Sequence, residues 1–543
     1  MKKQSVERKK QWVKRKKGDD NGSAIITIDR LSQLPQPVSH QILSLLSQKD
    51  AVRTCVLSKS WRYIWHGLHN VEFRDIWFAR ISLFWSFLDK TLQRYLDQNL
   101  SLQKLLVDIY HYEVDFVLLR KWVSVVIMNM GVRSLNLIFY HGNILFPLPL
   151  VVFQSESLVE LHLQRCALST LKSTDNVMLN NLQTLRLHYV YITDEIFEKI
   201  ILGCPLIENL DMLKCFGLKS IKLHKHHAIK NFRCFVDEQT IIEMEEDPHT
   251  LESFYVDNRC PNWFLPHKNM YFPHLKSLEL YRVHLPAETL DNFSSFFPCL
   301  SELILNACDG LKEFRLLSSS IKRLTIKSKN RIKAFIDTPN ILYFEFSGED
   351  FLLPSIKFTT TSNEWKSQIS LWWYMPEKDA TSWLFLKLNK LLESLSQSHI
   401  TLNLFYRMSL VDHIYQKLHI NDSYESFYKP VVVKDLKLSG SFSSSFDPAI
   451  LNCFLRICRP WYIHMDMYGE VRAICNLAEY MSKLIPDETG CFWLHDLEEV
   501  STEVWNMKAK EWCCVKGTIL RALCSRQKIR FRLTWKEQLS KFT

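Results

Sequence analysis

The chain has 543 residues, and a hydrophobic fraction of 47% with an aromatic fraction of 13% excludes general disorder. No apolar run reaches the roughly 18 residues that would span a bilayer, and the amino terminus is charged where a secretory signal would be apolar. The net charge of +10 comes mostly from residues 1–17, which hold nine Lys or Arg against one Glu, so the remaining 59 basic and 57 acidic residues nearly cancel.

Residues 1–24 are predicted to form a basic, disordered tail, because like charges at this density repel one another and stay solvated. A short basic run within the tail is a candidate for nuclear import, and a solvated tail without any address function is an equal alternative. The candidate import run and the absence of a secretory signal together predict a soluble protein of the nucleus, the cytoplasm or both. The run consists of Lys14, Arg15, Lys16 and Lys17.

Residues 25–70 are predicted to hold three short amphipathic helices. Pro35 and Pro37 fit a first helical turn, where a missing N–H is tolerated, and apolar residues at helical spacing follow up to Leu46. Two tryptophans, Trp61 and Trp65, lie one turn apart in the third helix. The spacing alone predicts a small helical bundle.

The order of residues in this segment carries more information than the spacing. Leu-Pro at 34–35, Ile-Leu-Ser-Leu-Leu at 42–46 and Val-Arg-Thr-Cys-Val-Leu-Ser-Lys-x-Trp-Arg-x-x-Trp at 52–65 resemble the F-box of plant F-box proteins. Cys55 and Ser60 depart from the usual residues of that family. The resemblance implies docking onto the Skp-type adaptor of a Skp–cullin–F-box (SCF) ubiquitin ligase, by helix-in-groove recognition. The implied contacts are Leu34, Pro35, Ile42, Leu46, Val52, Leu57, Trp61 and Trp65.

Two apolar stripes at helical spacing follow, one over residues 81–96 and one over residues 119–130. We assign residues 71–99 to a linker helix. From residue 100 onward the frame Leu-x-x-Leu-x-Leu returns, with clear copies that begin at Leu158, Leu182, Ile207, Leu275 and Leu300. Weaker copies begin at Leu102, Val132, Leu251, Ile321 and Ile341, and short ones at Leu218 and Ile229.

Spacings of about 24 to 26 residues fall in the range of leucine-rich repeats. Over residues 100–358 we therefore predict an α/β solenoid, with about eleven to thirteen parallel strands on its concave side and helices or loops outside. Cys166, Cys215 and Cys308 occupy one equivalent inward position, which indicates packing rather than metal binding. The phrases at 148–158 and 203–210 resemble those of plant F-box/leucine-rich-repeat proteins.

The concave face of a solenoid is its default binding surface, and residues between the buried leucines point toward it. For any one of these side chains, simple solvation of the sheet is the alternative. The candidates for target binding are Glu160, His162, Thr184, Arg186, Ser277, Glu279, Glu302 and Ile304.

Residues 359–543 are predicted to form degenerate repeats or a capping unit. Strands are expected over residues 400–405 and 431–438, followed by a loop over 440–445 and helices over 450–461 and 471–484. A helix from residue 508 and an alternating strand over 529–533 complete the chain.

No motif for catalysis, a metal or a cofactor is recognised, and we interpret His224, His226 and His227 as a solvated loop. The resemblance implies a non-catalytic adaptor, with cullin and RING subunits reached through the Skp-type protein and an unknown target bound by the repeats. The alternative is a nuclear nucleic-acid-binding scaffold that uses the basic tail. A small-molecule receptor is a third possibility, which would need a pocket on the concave face.

Overall fold

The protein is described from a computed structural model, which covers residues 34–46, 50, 53–54, 69–141, 145–168, 171–172, 174–223, 228–236, 240–244, 249–258, 271–285, 290–348, 353–373, 381–407, 429–441, 448–467, 492–515 and 528–536. The α-helices of these residues are α1 (Gln36–Leu45), α2 (Ile81–Asp97), α3 (Phe116–Asn129), α4 (Asp194–Leu202), α5 (Phe293–Phe296), α6 (Thr381–Ser394) and α7 (Pro448–Ile457).

Strands dominate the described part of the chain. The first thirteen are β1 (Asn70–Arg74), β2 (Lys104–Ile109), β3 (Ser134–Phe139), β4 (Phe146–Pro147), β5 (Glu160–Gln164), β6 (Cys166–Ala167), β7 (Thr184–His188), β8 (Asn209–Cys215), β9 (Ser220–Leu223), β10 (Asn231–Val236), β11 (Ile241–Met244), β12 (Ser253–Asp257) and β13 (Ser277–Tyr281). The others are β14 (Glu302–Asn306), β15 (Glu313–Leu317), β16 (Arg323–Ser328), β17 (Lys333–Asp337), β18 (Tyr343–Gly348), β19 (Ser355–Thr359), β20 (Lys366–Trp373), β21 (His399–Arg407), β22 (Val431–Ser441), β23 (Cys458–Met467), β24 (Leu497–Asn506), β25 (Glu511–Cys514) and β26 (Ile529–Trp535).

Nineteen of these strands form one sheet. Sixteen are parallel and follow one another in chain order, namely β1, β2, β3, β5, β7, β8, β10, β12, β13, β14, β16, β18, β20, β21, β22 and β23. At the far end β26, β24 and β25 continue the sheet in antiparallel pairs. This arrangement confirms the predicted α/β class with a solenoid-like parallel sheet.

One continuous core lies on one side of this sheet. In β5 the side chains of Leu161 and Leu163 are buried while those between them are not, and the other parallel strands repeat the pattern. The helices α2 and α3 bury the apolar stripes seen in the sequence, and the Trp122 indole Nε1 donates to the Asp89 carboxylate at 2.8 Å. Because burying one leucine contributes roughly 1.5–3 kcal/mol, this shared core is what holds the strands in register.

The parallel sheet has more strands than the leucine frame predicted. The strand β1 lies in the stretch assigned to a linker helix, and β20 to β23 continue the sheet where the frame blurs. The helix α6 between β20 and β21 was not predicted. These strands are identified by the strands with which they pair rather than by regularly spaced leucines in their own sequences. The leucine frame therefore predicts too few strands.

Three predictions for the carboxy-terminal region need correction. The helix expected over residues 450–461 ends at Ile457 and continues directly as the strand β23. The strand β22 includes residues 440 and 441, where the start of a loop was expected, and the rest of that loop lies outside the described residues. The first part of the helix expected from Lys508 is instead a turn and the strand β25, because the Asn506 Oδ1 accepts from the N–H of Lys508 at 3.0 Å and closes a hairpin. Residues 516–527 of that prediction lie outside the described residues. The strand β26 has the predicted alternation of buried and exposed residues.

The predicted amino-terminal helices are described only in part. The first begins at Gln36, with Pro35 as the N-cap residue in extended conformation and Pro37 within the first turn. Most of the second and third, the basic tail and the segment 471–484 lie outside the described residues. No helix in the described ranges is both long and apolar enough to cross a membrane.

Candidate functional site

The candidate binding surface is the side of the 19-stranded sheet that faces away from the core, which we call the open face. Because the parallel strands pair without offset, equivalent residues of successive repeats line up across the sheet in three rows. Over β7, β8, β10, β12 and β13 the first row is Thr184, Asn209, Asn231, Ser253 and Ser277. The second row is Arg186, Asp211, Arg233, Tyr255 and Glu279, and the third row is His188, Leu213, Phe235, Asp257 and Tyr281.

All eight residues proposed as target contacts lie on strands of this face. The register joins Glu160 to Thr184 and His162 to Arg186 on adjacent strands, and Ser277 to Glu302 and Glu279 to Ile304 further along. Thr184 is buried, Arg186 and Glu160 are exposed, and the other five are half-buried. The structure thus divides the predicted set into two groups, separated by the strands β8, β10 and β12.

An open groove of about 310 Å³ occupies this interval. It is lined by the first row from Thr184 to Ser253 and by the whole second row, with Leu210 and Phe232 contributing from the core side. Three predicted residues line the groove, namely Thr184, Arg186 and Glu279. The other five predicted residues lie on the same face outside it.

The sequence could have revealed the groove residues that we missed. Asp211 sits between the buried Leu210 and Met212 of a clear copy of the repeat frame. Arg186 was chosen because it lies between two buried residues of a strand, and the same criterion selects Asp211. Arg233 and Tyr255 hold the same place in β10 and β12. Those strands belong to a short and a weak copy of the frame, in which phenylalanine replaces the middle leucine, and their outward residues were passed over.

Charges in the groove are held by contacts between repeats. The His188 Nε2 lies 3.3 Å from the Asp211 Oδ2, an electrostatic contact between β7 and β8. Burial alone would raise the pKa of Asp211. The His188 contact and the nearby Arg233 guanidinium outweigh burial and hold that pKa below its usual range, so Asp211 is a carboxylate at neutral pH.

His162 lies next to this cluster, with its Nε2 3.3 Å from the His188 Nδ1 and the two rings in an edge-to-face arrangement. Burial lowers the pKa of His162 to about 4, and the neighbouring His188 and Arg186 side chains act in the same direction. His162 is therefore neutral near pH 7. It presents a hydrogen-bonding ring rather than a charge on the open face.

Stacking on aromatic rings holds the side chains in the middle of the second row in place. The Arg233 guanidinium lies 4.5 Å from the centre of the Tyr255 ring, and that ring packs at 4.9 Å against Tyr281 of the third row. The Tyr281 hydroxyl donates to the Glu279 carboxylate at 3.4 Å. Burial raises the pKa of Tyr281 to about 12, so its hydroxyl keeps its proton and remains a donor.

Hydrogen bonds also connect the first row. The Asn231 Nδ2 donates to the Asn209 Oδ1 at 2.7 Å, and the Asn209 Nδ2 donates to the Thr184 Oγ1 at 3.2 Å. These bonds cross three strands and orient the amides side by side. The groove thus has one edge of ordered neutral polar groups and a parallel line of charged groups.

A second aromatic region lies further along the open face. Trp372 of β20 stacks on Phe405 of β21 at 4.5 Å, and the tryptophan is 42% exposed. At the end of the sheet the Arg530 guanidinium lies between the rings of Tyr462 and Trp512, at 4.1 and 4.2 Å from their centres. The Arg530 Nε also donates to the buried Glu503 carboxylate at 2.6 Å, so we assign the group around Arg530 a structural role rather than a binding role.

Four of the residues proposed to contact the Skp-type adaptor are described. Leu34 and Ile42 are half-buried, Pro35 is exposed and Leu46 is 39% exposed, whereas Leu43 of the same helix is buried. The apolar side chains of α1 are thus divided between the core and solvent. The remaining four, Val52, Leu57, Trp61 and Trp65, and the basic run from Lys14 to Lys17 lie outside the described residues.

Within the described ranges, no group of three or more His, Cys, Asp or Glu side chains could hold a metal ion. The repeated cysteines pack in the core, and two of them donate to backbone carbonyls of the preceding strand, Cys215 to Leu187 at 3.1 Å and Cys308 to Leu280 at 3.4 Å. Burial raises the pKa of both thiols to about 12, so they are unreactive at neutral pH.

Comparison with known proteins matches two parts of the chain. Residues 31–72 match the F-box domain, and residues 119–248 match the leucine-rich repeats of FBD-associated F-box protein At5g56370. Among relatives from Arabidopsis thaliana, the chain is 33% identical over 200 residues to F-box/LRR-repeat protein At3g59200, covering 35% of this chain and 37% of the relative. It is 32% identical over 210 residues to Putative F-box/FBD/LRR-repeat protein At5g25850, covering 38% and 42%. The match thus spans less than half the length of these curated relatives.

Proposed function

This chain carries an F-box and leucine-rich repeats similar to those of Arabidopsis F-box/leucine-rich-repeat proteins, and from that premise we propose that it recruits substrates to an SCF-type ubiquitin ligase. The F-box would bind the Skp-type adaptor, and through it the cullin and RING subunits. The open face of the repeats would bind the target protein. The observation that carries the proposal is the F-box match at residues 31–72 ahead of a long sheet with one uncovered polar face.

The amino-terminal surface supports the first half of the proposal. Pro35 and Leu46 are exposed at the two ends of α1, and Val38 is 41% exposed between them. An amphipathic helix that leaves apolar side chains in solvent suits docking into an apolar groove of a partner. Protein interfaces of this kind bury roughly 800 Å² per partner, with a few apolar anchors carrying most of the binding energy.

The proposed mechanism is positional. A target held on the open face while the F-box is docked would stay close to a ubiquitin carrier bound elsewhere in the complex. Tethering of this kind raises the effective concentration of the reacting groups without any catalytic residue on this chain. The proposed role is therefore that of a non-catalytic subunit.

The proposal is tested by exchanging both residues at the start of α1, with the double substitution Leu34→Ala and Pro35→Ala. We expect the full chain to lose at least about tenfold in affinity for a Skp-type adaptor, because half-buried and exposed apolar anchors are removed together. The measurement is co-purification from a co-expression, followed by titration in solution. Leu83→Ala on α2, which is 54% exposed, is the matched control and should bind normally.

Full-strength adaptor binding by the double variant, at an unchanged melting temperature, would contradict the proposal. Repeating the titration at higher salt separates it from the nucleic-acid hypothesis, because phosphate-driven binding weakens steeply with salt whereas apolar docking does not. The nuclear or cytoplasmic location, and the import role of the run from Lys14 to Lys17, stay predictions.

A further inference from the structure

We propose that the groove between β7 and β13 binds a peptide segment of the target in the polyproline II conformation, in which an acidic side chain and a basic side chain lie three residues apart. This inference rests on the proposed function and adds the chemical class of the bound segment. Its basis is the line of alternating charge in the second row, from Arg186 and Arg233 to Glu279.

The spacing of the charges follows from the sheet. Neighbouring strands lie about 4.8 Å apart, so two strand intervals place Arg233 about 10 Å from Glu279 along the groove. A peptide in the polyproline II conformation rises about 3.1 Å per residue with three residues per turn, so three residues cover about the same distance and the side chains three positions apart point to the same side. A carboxylate facing Arg233 and a cation facing Glu279 therefore belong to positions three residues apart.

Asp211 lies between the two arginines and offsets only part of their positive charge. Its carboxylate contacts His188 at 3.3 Å, and it is half-buried, whereas Arg186 and Arg233 are both exposed. The Arg233 guanidinium is held over the Tyr255 ring, which fixes its position before a ligand arrives. An incoming acidic side chain thus meets two exposed cations, of which Arg233 is held in place.

The first row suits the backbone of the same peptide. It offers neutral hydroxyl and amide groups on five successive strands, and the Asn231–Asn209–Thr184 hydrogen bonds hold three of them in place. The two rows are separated by two residues along each strand, or about 7 Å. A peptide backbone over the first row can therefore extend its charged side chains to the second row.

A peptide fits the groove better than other ligands. Small-molecule sites are mostly apolar and enclose their ligand, whereas this groove is open and its lining is mainly polar. Its four strand intervals span about 19 Å, the length of roughly six residues in the polyproline II conformation. Nucleic acid would place successive phosphates beside Asp211 and Glu279, which is electrostatically unfavourable.

The experiment is a selection from a random dodecapeptide library displayed on phage, against the full chain co-purified with a Skp-type adaptor. We expect the wild-type chain to enrich peptides with an acidic residue three positions from a basic one. The best peptide, labelled for fluorescence anisotropy at about 0.15 M ionic strength, should bind at least about tenfold more weakly to the Arg186→Glu, Arg233→Glu double variant and to Glu279→Lys. Selection on Glu279→Lys should no longer favour the basic residue.

Lys327→Glu is the matched control, because Lys327 is exposed on the same face two strands beyond Glu279 and does not line the groove. It should bind the peptide as the wild type does. The inference is overturned if no peptide is enriched, if the enriched peptides lack the charge pattern, or if Lys327→Glu weakens binding as much as the groove variants. Binding lost in Trp372→Ala but kept in the groove variants would also overturn it, and would move the contact along the open face.

Each preparation is also assayed for adaptor binding and for its melting temperature. Peptide binding without adaptor binding would refute the proposed function and leave the groove inference standing. Adaptor binding without peptide binding would refute the inference alone. A random-sequence RNA oligonucleotide serves as a second probe, and tighter binding of RNA that depends on Arg186 and Arg233 would count against the peptide.

Discussion

At the scale of single residues, the open face is organised by contacts that cross from one repeat to the next. His162 on β5, His188 on β7 and Asp211 on β8 form a chain in which each member touches the next at 3.3 Å. Arg186 stands beside the chain, exposed. The chain keeps one histidine neutral and one carboxylate charged within a few ångströms, so its protonation affects the stability of the folded chain.

Neutral His162 is expected to stabilise the fold only above acidic pH. The pKa of His162 is about 4 in the folded protein against an ordinary value of 6.5, so the unfolded chain takes up the proton first as the pH falls. This contribution is complete above pH 6.5 and is lost progressively toward pH 4. After allowance for solvent screening we expect on the order of 1–2 kcal/mol, measured as the urea-unfolding free energy at several pH values.

The variant His162→Gln should lack this pH-dependent contribution. The difference in unfolding free energy between wild type and variant should therefore shrink as the pH falls from 6.5 to 4. His274→Gln, at an exposed position before β13, is the control and should follow the wild type. Parallel pH profiles for wild type and His162→Gln would contradict the assignment.

At the scale of elements, one turn recurs where strands of the main sheet end. The residue at the turn has a positive φ without being glycine in five repeats, and a buried cysteine or valine follows it. The equivalent cysteines noted in the sequence are thus the buried residues of a turn that recurs from repeat to repeat. The five turn residues are Arg165, Tyr189, Lys214, Arg282 and Ala307.

In the turn at Cys308, glycine is required two residues further along the chain. Gly310 has a φ of +92°, and a Cβ there would lie 2.5 Å from the Leu285 carbonyl oxygen of the preceding repeat. We expect Gly310→Ala to lower the unfolding free energy by about 2–4 kcal/mol, because backbone strain and a backbone clash combine. The measurement is chemical denaturation of the full chain.

Gly131→Ala separates the two causes. Gly131 also has a positive φ of +65°, but a Cβ there meets nothing within 4 Å. This variant should lose only about 1 kcal/mol, the cost of the conformation alone. Equal losses at both positions would rule out the close approach between repeats as the reason for Gly310.

At the scale of the whole molecule, the two ends of the sheet differ. The first strand, β1, continues the parallel order, whereas β23 is covered by the antiparallel β26. Trp535 anchors this end, since it is buried and its Nε1 donates to the Pro460 carbonyl at 2.8 Å. An exposed strand edge invites pairing with other chains, so β26 acts as a cap of the solenoid.

A chain that ends at residue 527 should therefore associate or aggregate, because it loses β26 and uncovers both β23 and β24. We expect its melting temperature to fall by about 10 °C or more, with higher oligomers in size-exclusion chromatography with light scattering. A chain that ends at residue 536 keeps the strand and should behave as the full chain does. A monomeric, equally stable product of the first truncation would show that β26 is dispensable.

The sequence by itself determined the repeat and its polarity. The frame Leu-x-x-Leu-x-Leu decides which side chains of a strand enter the core, because side chains alternate along any strand, and Leu161 and Leu163 follow it. The same alternation placed Arg186 and Glu279 on the outer face. The F-box segment could be recognised from the sequence for a similar reason. Its characteristic residue order lies within one short segment and does not depend on contacts with distant parts of the chain.

Only the tertiary structure decided which outer residues meet. Asp211 and Arg233 are 22 residues apart in the chain yet directly paired in the sheet, and the groove exists because the register brings them beside Arg186 and Tyr255. The antiparallel end was likewise hidden, since the alternation over residues 529–533 predicts a strand but does not show that this strand pairs with β23, about 65 residues earlier in the chain. Local spacing fixes the direction of a side chain, whereas its neighbours depend on how distant segments pack together.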